Sequence, residues 1–272
     1  MVRCPPVIPV IHAEPLAAVE AEQARYLAAH ATVPGYEVHV ESDATWAIQP
    51  GGVWGNCAVQ LRLAPGTADQ RLDRIANRFC DTERGGGFWL SLFATPTDLP
   101  ARLRRRGFRC RKLFPAMYRE LAAPDASETE MRGLTFQVVE DYQLFLKIPH
   151  PCYGPIRTPM RRFELARQAH LAAMRPRRFW DLAALREGVP VGICTLFHEE
   201  GIAGVHDVGV LPAMRRQGIG TALMRYACGF ARGLGATACV LISSGQGYGM
   251  YGRAGFREVG RIGYWYRRYR IV

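Results

Sequence analysis

The stretch "VGVLPAMRRQGIGTALMRYA", Val208 to Ala227, decides how this chain is read. A short apolar run ends at a proline, two arginines and a Gly-x-Gly follow, and the sequence continues with the periodicity of an amphipathic helix. No acidic residue stands near that helix start. Glycines let a backbone approach a ligand closely and turn its N–H groups inward. A helix N-terminus supplies roughly half a positive charge, and flanking arginines add full ones. The segment Arg215-Arg216-Gln217-Gly218-Ile219-Gly220-Thr221 is therefore a candidate pyrophosphate cradle. It is not a Walker loop, because the lysine is absent, and the G-x-G-x-x-G spacing of a dinucleotide fold is not met.

Around this stretch the C-terminal half reads as alternating elements. In "FWDLAALREGVPVGICTLFHEEGIAGVHDVGVL" Glu187-Gly188 and Glu200-Gly201 punctuate three strand-like runs, which predicts an antiparallel meander. Leu223, Ala227, Phe230 and Leu234 then recur at helical spacing, closed by Gly235. The strand "TACVLIS", the bend "SGQGYG", a short helix from Met250 to Ala254 and two strands near "FREVGRI" and "YWYRRY" follow. Upstream, "EDYQLFLKI" and "PMRRFELARQAHLAAM" read as helices flanking the proline-broken loop "PHPCYGPIRTP". The order is that of an α+β layer fold.

The N-terminal half ends in the same way. "GGGFWLSLFATPTDLPARLRRRGFRCRKLFPAMYREL" runs strand, short helix, Gly107-Phe108, strand, strand, and the last third places Gly255-Phe256 at the same point. An internal duplication follows, with one domain over 1–125 and another over 126–272. The small, polar and acidic Ala122–Gly133 suits the linker.

Composition narrows the function classes. With 49% hydrophobic and 22% charged residues the chain is ordinary for a globular protein rather than a disordered one. The net charge of +11 suits nucleic acid, a membrane surface or a polyanionic small ligand. Only Lys112 and Lys147 are lysines, and the arginines spread along the whole length without a basic tail, zinc knuckle or helix-turn-helix pattern. Nucleic acid is therefore not the expected partner. No apolar run reaches the roughly 18 residues of a membrane helix, and prolines interrupt "MVRCPPVIPVIHAEP", so the expectation is a cytoplasmic protein without membrane contact. The eight cysteines are dispersed with no C-x-x-C pair, which points to neither a metal site nor a disulfide framework.

Beyond the arginine turn, "MYGRAGF" gives Tyr251-x-x-x-Gly255-Phe256 after a strand and a glycine-rich bend. With these residues the chain resembles the GNAT superfamily of acyl-CoA-dependent N-acyltransferases, over roughly 134–272. The resemblance implies two tandem GNAT-like domains, each a mixed, mostly antiparallel sheet flanked by helices. It implies that the strand Val208-Gly209-Val210 contacts pantetheine, that Arg215–Gly220 holds the CoA pyrophosphate, and that Tyr251 protonates the leaving thiolate. In tandem-repeat members a serine before the glycine-rich bend, here Ser244, lies near the thioester. The N-terminal half departs from the pattern: Leu103 stands where Tyr251 would, and "RLAPGTADQ" replaces the arginine turn. It resembles a degenerate repeat whose expected work is to wall the acceptor pocket, with Trp46, Trp54, Phe88 and Trp89 as wall candidates.

Amide formation from a thioester needs a neutral amine, hence a base, and a proton donor near the sulfur. Counting back along the strand, His206, Val208 and Val210 share one face, so His206 is the first choice of base, with Asp207 on the other face. His150 and Tyr153 lie in the loop that usually covers the acceptor pocket in this family. The leading expectation is an acetyl-CoA-dependent acetyltransferase acting on a primary amine of a small molecule or peptide. A longer acyl-CoA or acyl carrier protein donor is the enzymatic alternative, and a CoA-binding sensor without turnover the non-enzymatic one. A monomer or a dimer is compatible with two repeats in one chain.

Overall fold

The computed structural model describes residues 13–49, 56–82, 85–122, 133–140 and 158–267. Among these, eleven strands and six α-helices form an α+β structure, as expected. The chain divides into two compact units, Met1–Ala116 with Glu258–Val272, and Met117–Arg257. The division thus differs from a single cut after residue 125. The reason is the last strand, Arg257–Arg267 (β11), which pairs antiparallel with Gly86–Leu90 (β4), Tyr264 lying opposite Trp89.

The first unit contains α1 (Ala13–Ala28), β1 (Glu37–Glu41), β2 (Ala44–Ile48), β3 (Asn56–Val59), α2 (Ala68–Cys80), β4 and α3 (Leu99–Arg105). β5 (Arg109–Glu120) follows, its last residues from Met117 on belonging to the second unit. The strand order is β1-β2-β3-β4-β11. β1, β2 and β3 pair antiparallel, and β3 pairs parallel with β4. Leu72, Ile75, Ala76 and Phe79 recur along α2 at helical spacing and are buried against Trp46, Phe88, Leu103, Phe108 and Trp265. Each leucine, isoleucine or phenylalanine among them contributes about 1.5–3 kcal/mol of burial, so this unit holds a core of its own. Trp46 and Phe88 are therefore core residues rather than pocket wall, Trp89 is half-buried, and Trp54 lies outside the described residues.

The second unit contains β6 (Leu134–Val138), α4 (Thr158–Ala173), β7 (Phe179–Arg186), β8 (Val189–Glu199), β9 (Ile202–Val210), α5 (Ile219–Gly233), β10 (Ala238–Ile242) and α6 (Tyr248–Arg253). The order is β10-β9-β8-β7-β6, antiparallel except for the parallel pair β9–β10. Both predicted hairpin turns are two-residue turns with positive φ throughout: Glu187 51° and Gly188 76°, Glu200 50° and Gly201 75°. Such turns match the twist of the strands they join, which fixes the meander's register. Ile219, Leu223, Met224, Ala227, Cys228 and Ala231 form the buried stripe of α5 over this sheet.

Two stretches of the chain, 37–120 and 179–267, run along the same path: three antiparallel strands, a helix, a parallel strand, a short helix, Gly-Phe and a long strand. The two Gly-Phe junctions match in detail. Gly107 (φ 83°) and Gly255 (φ 87°) take the left-handed conformation that ends a helix, where the missing Cβ removes the penalty. The Phe108 amide donates to the Leu103 carbonyl and the Phe256 amide to the Tyr251 carbonyl, each at 3.0 Å. What the sequence reads as two strands after each junction is one continuous strand, β5 or β11. Gly260 marks no break there: a Cβ on it would lie 2.7 Å from Leu16 Cδ2, so it admits Leu16 instead. The expected helix "EDYQLFLKI" after Glu140 and the loop after it up to Arg157 fall outside the described residues. No described helix is long and apolar enough to cross a membrane.

Candidate active site

β9 and β10 pair only at Ile202–Ala238, Ala203–Cys239 and Gly204–Val240. Beyond Gly204 no described strand pairs with β9 on that side, so Val205–Val210 borders an opening in the sheet. Val208 and Val210 are half-buried against the α5 core, Gly209 is buried opposite Ile193, and the strand leads into the arginine turn.

The turn has the geometry of an anion cradle. Arg216 (φ 65°) and Gly218 (φ 80°) are both left-handed, which alternates the backbone so that successive N–H groups converge on one side. Gly218 is the N-cap of α5, without a side-chain cap, and the first helical bond runs from the Ala222 amide to the Gly218 carbonyl at 3.0 Å. The amides of Ile219, Gly220 and Thr221 are thus left to an outside acceptor, with the helix dipole behind them. Arg215, Arg216, Gln217 and Gly218 are exposed. Arg215 Nε donates to the Val210 carbonyl at 3.1 Å, tying the turn to the strand end. Gly220 serves packing: a Cβ there would lie 2.3 Å from the Met250 sulfur of α6.

Arg186 at the end of β7 joins this turn, donating from Nη1 to Gln217 Oε1 at 2.8 Å. Sequence reading missed it because β7 and the turn are distant in the chain and only the fold joins them. The first unit treats its arginines differently. There Arg102 pairs with Asp69 and Asp98, and Arg106 with Asp69 and Asp73. Helix α2, which holds the place of α5 in that unit's path, starts after Thr67 with Asp69 in its first turn and no left-handed residue. A carboxylate stands there where an anion would have to bind.

Tyr251 is buried in the core of the second unit, 7% exposed, with its ring edge-on to Phe256 at 6.1 Å. Burial pushes its phenol well above the ordinary tyrosine range, and the Asp207 charge acts in the same direction. It is a protonated group at neutral pH. Its hydroxyl has no hydrogen-bond partner among the described residues, yet it is not one of the sealed, unpartnered polar atoms. Gly247 lets the ring in, since a Cβ there would lie 2.6 Å from Tyr251 Cε2. Ser244 caps the turn into α6, its Oγ accepting the Gly247 amide at 3.2 Å.

His206 is placed differently from the sequence expectation. Thr195 pairs with His206 and Ile193 with Gly209, so two residues of β9, Asp207 and Val208, stand opposite Cys194 alone. This is a β-bulge, with Asp207 in the left-handed region at φ 51°. The extra residue inverts the alternation. His206 shares the face of Thr195 and Ile193, whereas Val210, opposite Gly192, shares the face that meets α5. Asp207, expected to be purely structural, sits in the bulge, where its charge acts on both Tyr251 and Asp181.

Asp181 was also missed by sequence reading. It is 4% exposed on β7, and its Oδ1 accepts the Thr195 hydroxyl at 2.6 Å. With the Gln168 amide oriented to suit its neighbours, Nε2 donates to Asp181 Oδ2 at 3.0 Å and Oε1 accepts from Arg167 Nη2 at 3.0 Å. Arg167 in turn pairs with Glu164 at 2.8 Å on the same helix. Burial is the main cause pushing the Asp181 carboxyl up to about 7, against the opposing Thr195 bond and the Arg167 charge. The available signal was a lone aspartate inside the apolar run "FWDLAAL".

His150 and Tyr153 lie outside the described residues. No group of three or more His, Cys, Asp or Glu among the described residues is arranged to hold a metal ion. Cys57, Cys80, Cys110, Cys194, Cys228 and Cys239 are free thiols.

Residues 142–256 match the model of the acetyltransferase (GNAT) family. No curated protein matches the chain in sequence. Among solved structures, a GCN5-related N-acetyltransferase from Kribbella flavida is similar at a TM-score of 0.68 and 20% identity, over 94% of this chain and 96% of that one. A GCN5-related N-acetyltransferase from Sphaerobacter thermophilus gives 0.61 and 17%, over 94% and 91%. A tandem GNAT protein from the clavulanic acid biosynthesis pathway gives 0.61 and 12%, over 89% and 86%. At these identities the likeness speaks of the fold. Residues 142–256, which carry the opened strand, the arginine turn and Tyr251, are the stretch that is similar to the acetyltransferase (GNAT) family.

Proposed function

We propose that this protein is an N-acetyltransferase that moves an acetyl group from acetyl-CoA to a primary amine of a small molecule or peptide by direct attack. The observation that carries the reading is the turn Arg215–Thr221. It has two left-handed residues, uncapped amides at the head of α5 and exposed arginines, directly after a strand that has lost its neighbour. These residues fit a pyrophosphate, and Val208–Val210 would run beside the pantetheine arm. Ser244 lies exposed at the bend on the far side of the opening.

Bound acetyl-CoA supplies the acyl thioester. Tyr251 holds its proton at neutral pH and would give it to the departing thiolate. His206, two residues beyond the last β9–β10 pair, would take the amine's proton. The bulge puts its ring on the face opposite Val210, so that acid and base work from the two sides of the opening. His150 and Tyr153 would contact the acceptor.

The exposed arginines also favour an acidic acyl carrier protein as an alternative donor. A thiol-release assay with acetyl-CoA against polyamines, aminoglycosides, amino acids and N-terminal peptides tests the reading. Release that depends on one amine class supports it. Saturable CoA binding with no release for any amine supports a sensor, and release only from an acyl carrier protein supports the alternative donor.

A further inference from the structure

Asp181, Thr195 and His206 stand in one transverse row across β7, β8 and β9, Asp181 opposite Thr195 and Thr195 opposite His206. All three lie on the sheet face away from α5, the face that packs against α4. The bulge is what brings His206 into this row, because without it the alternation would carry the ring to the other face. Cross-strand partners have Cβ atoms about 5 Å apart, so Thr195 and His206 are direct neighbours on this face, while the Thr195 hydroxyl proton is committed to Asp181 Oδ1 at 2.6 Å. The hydroxyl oxygen keeps acceptor capacity toward the His206 side.

We propose that Asp181 is a positioning residue for His206, acting through the Thr195 hydroxyl: it orients the ring and answers the charge the ring gains when it takes a proton. The inference rests on the reading of His206 as the base. In proton terms, the amine proton goes to one ring nitrogen of His206. The other ring nitrogen turns its N–H toward Thr195 Oγ, whose own proton points to the Asp181 carboxylate. No bond other than those to protons changes. The charged and titratable groups that act on or next to Asp181 are Arg167 and Glu164 from α4, Arg177 before β7, Asp207 from β9 and Cys194 from β8. Arg167 and Arg177 favour the carboxylate, and Asp207 opposes it. Glu164 is held by Arg167.

The test is an NMR titration of the His206 ring in the full chain without ligand, its signal assigned by its loss in His206→Gln. Asp181→Asn keeps the shape of the side chain, and Thr195→Val removes the hydroxyl while leaving the carboxyl in place. Asp181→Asn is expected to lower the pH midpoint of His206 by about half a unit or more, as loss of a charge at this range requires. Thr195→Val should move it in the same direction, and Thr195→Ser should restore the wild-type midpoint. A structural role alone would change melting temperature without moving the midpoint. An unmoved His206 midpoint in folded Asp181→Asn overturns the inference. The base reading is judged separately, by whether His206→Gln abolishes the rise of thiol release with pH in the amine panel assay.

Discussion

The Phe256 amide donates to the Tyr251 carbonyl at 3.0 Å, and the Phe108 amide donates to the Leu103 carbonyl at the same distance. One helix end is thus built twice, with a phenol at the key position of one copy and an apolar side chain at the other. Leu103 is fully buried, whereas the Tyr251 hydroxyl reaches past its buried ring. Tyr251→Phe keeps the packing and removes the proton donor. Turnover should fall about tenfold or more, with CoA affinity and melting temperature nearly unchanged. Steady-state kinetics beside calorimetric titration of CoA check both halves of this expectation.

Arg215 and Arg216 stand exposed at the turn, where a phosphate would meet them. Replacing Arg216 with alanine should raise the Kd for CoA about tenfold, the equivalent of about 1.4 kcal/mol. The loss should shrink as salt is added, because the contact is exposed and screened. Titrations at two ionic strengths read this directly. Equal CoA affinity in wild type and variant would remove the turn from the binding site.

Gly218 holds φ at 80° as the N-cap of α5. A Cβ in that region costs about 1–2 kcal/mol, so Gly218→Ala should lower the melting temperature by roughly 3 °C and weaken CoA binding as the turn relaxes. Gly252, inside α6 with open space about it, is the contrasting position. There alanine should raise stability by several tenths of a kcal/mol, about the difference in helix propensity.

Asp181 links stability to pH. Its carboxyl rises from 3.8 unfolded to about 7 in the folded protein, so the folded state holds the proton more tightly. Its contribution is fully present below about pH 4 and is lost as pH rises toward and through 7. Asp181→Asn cannot ionise and should gain on the wild type across that window, by an upper limit of about 4 kcal/mol. Chemical denaturation of both proteins at pH 5 and pH 8 checks the sign: the difference between them must favour the variant more at pH 8.

Cys80 is exposed, whereas Cys194, Cys228 and Cys239 are sealed in the core of the second unit, where burial pushes the Cys194 thiol far up. Among the described cysteines, Cys80 should label first with a thiol reagent, and the three core thiols only on unfolding. Peptide mapping after timed alkylation distinguishes them.

The parts legible in the sequence are those with local physical causes. The Glu-Gly hairpins, the apolar stripe of α5 and the arginine-glycine turn each depend on neighbours a few residues away. What escaped depends on register between strands. Strict alternation along β9 places His206 on the face of Val210, and one bulge at Asp207 and Val208 reverses that alternation. Asp181 needed Thr195 and Gln168, and Arg186 needed Gln217, all from distant segments. The boundary between the units escaped for the same reason: nothing near Glu258 announces that β11 pairs with β4.

The most direct measurement is thiol release from acetyl-CoA across the amine panel, run side by side for wild type and Tyr251→Phe. Release by the wild type with one class of amine, lowered about tenfold or more in the variant, is the expected result. Equal release by the two proteins, or none from the wild type with any amine while CoA binds, would contradict acetyl transfer at this site.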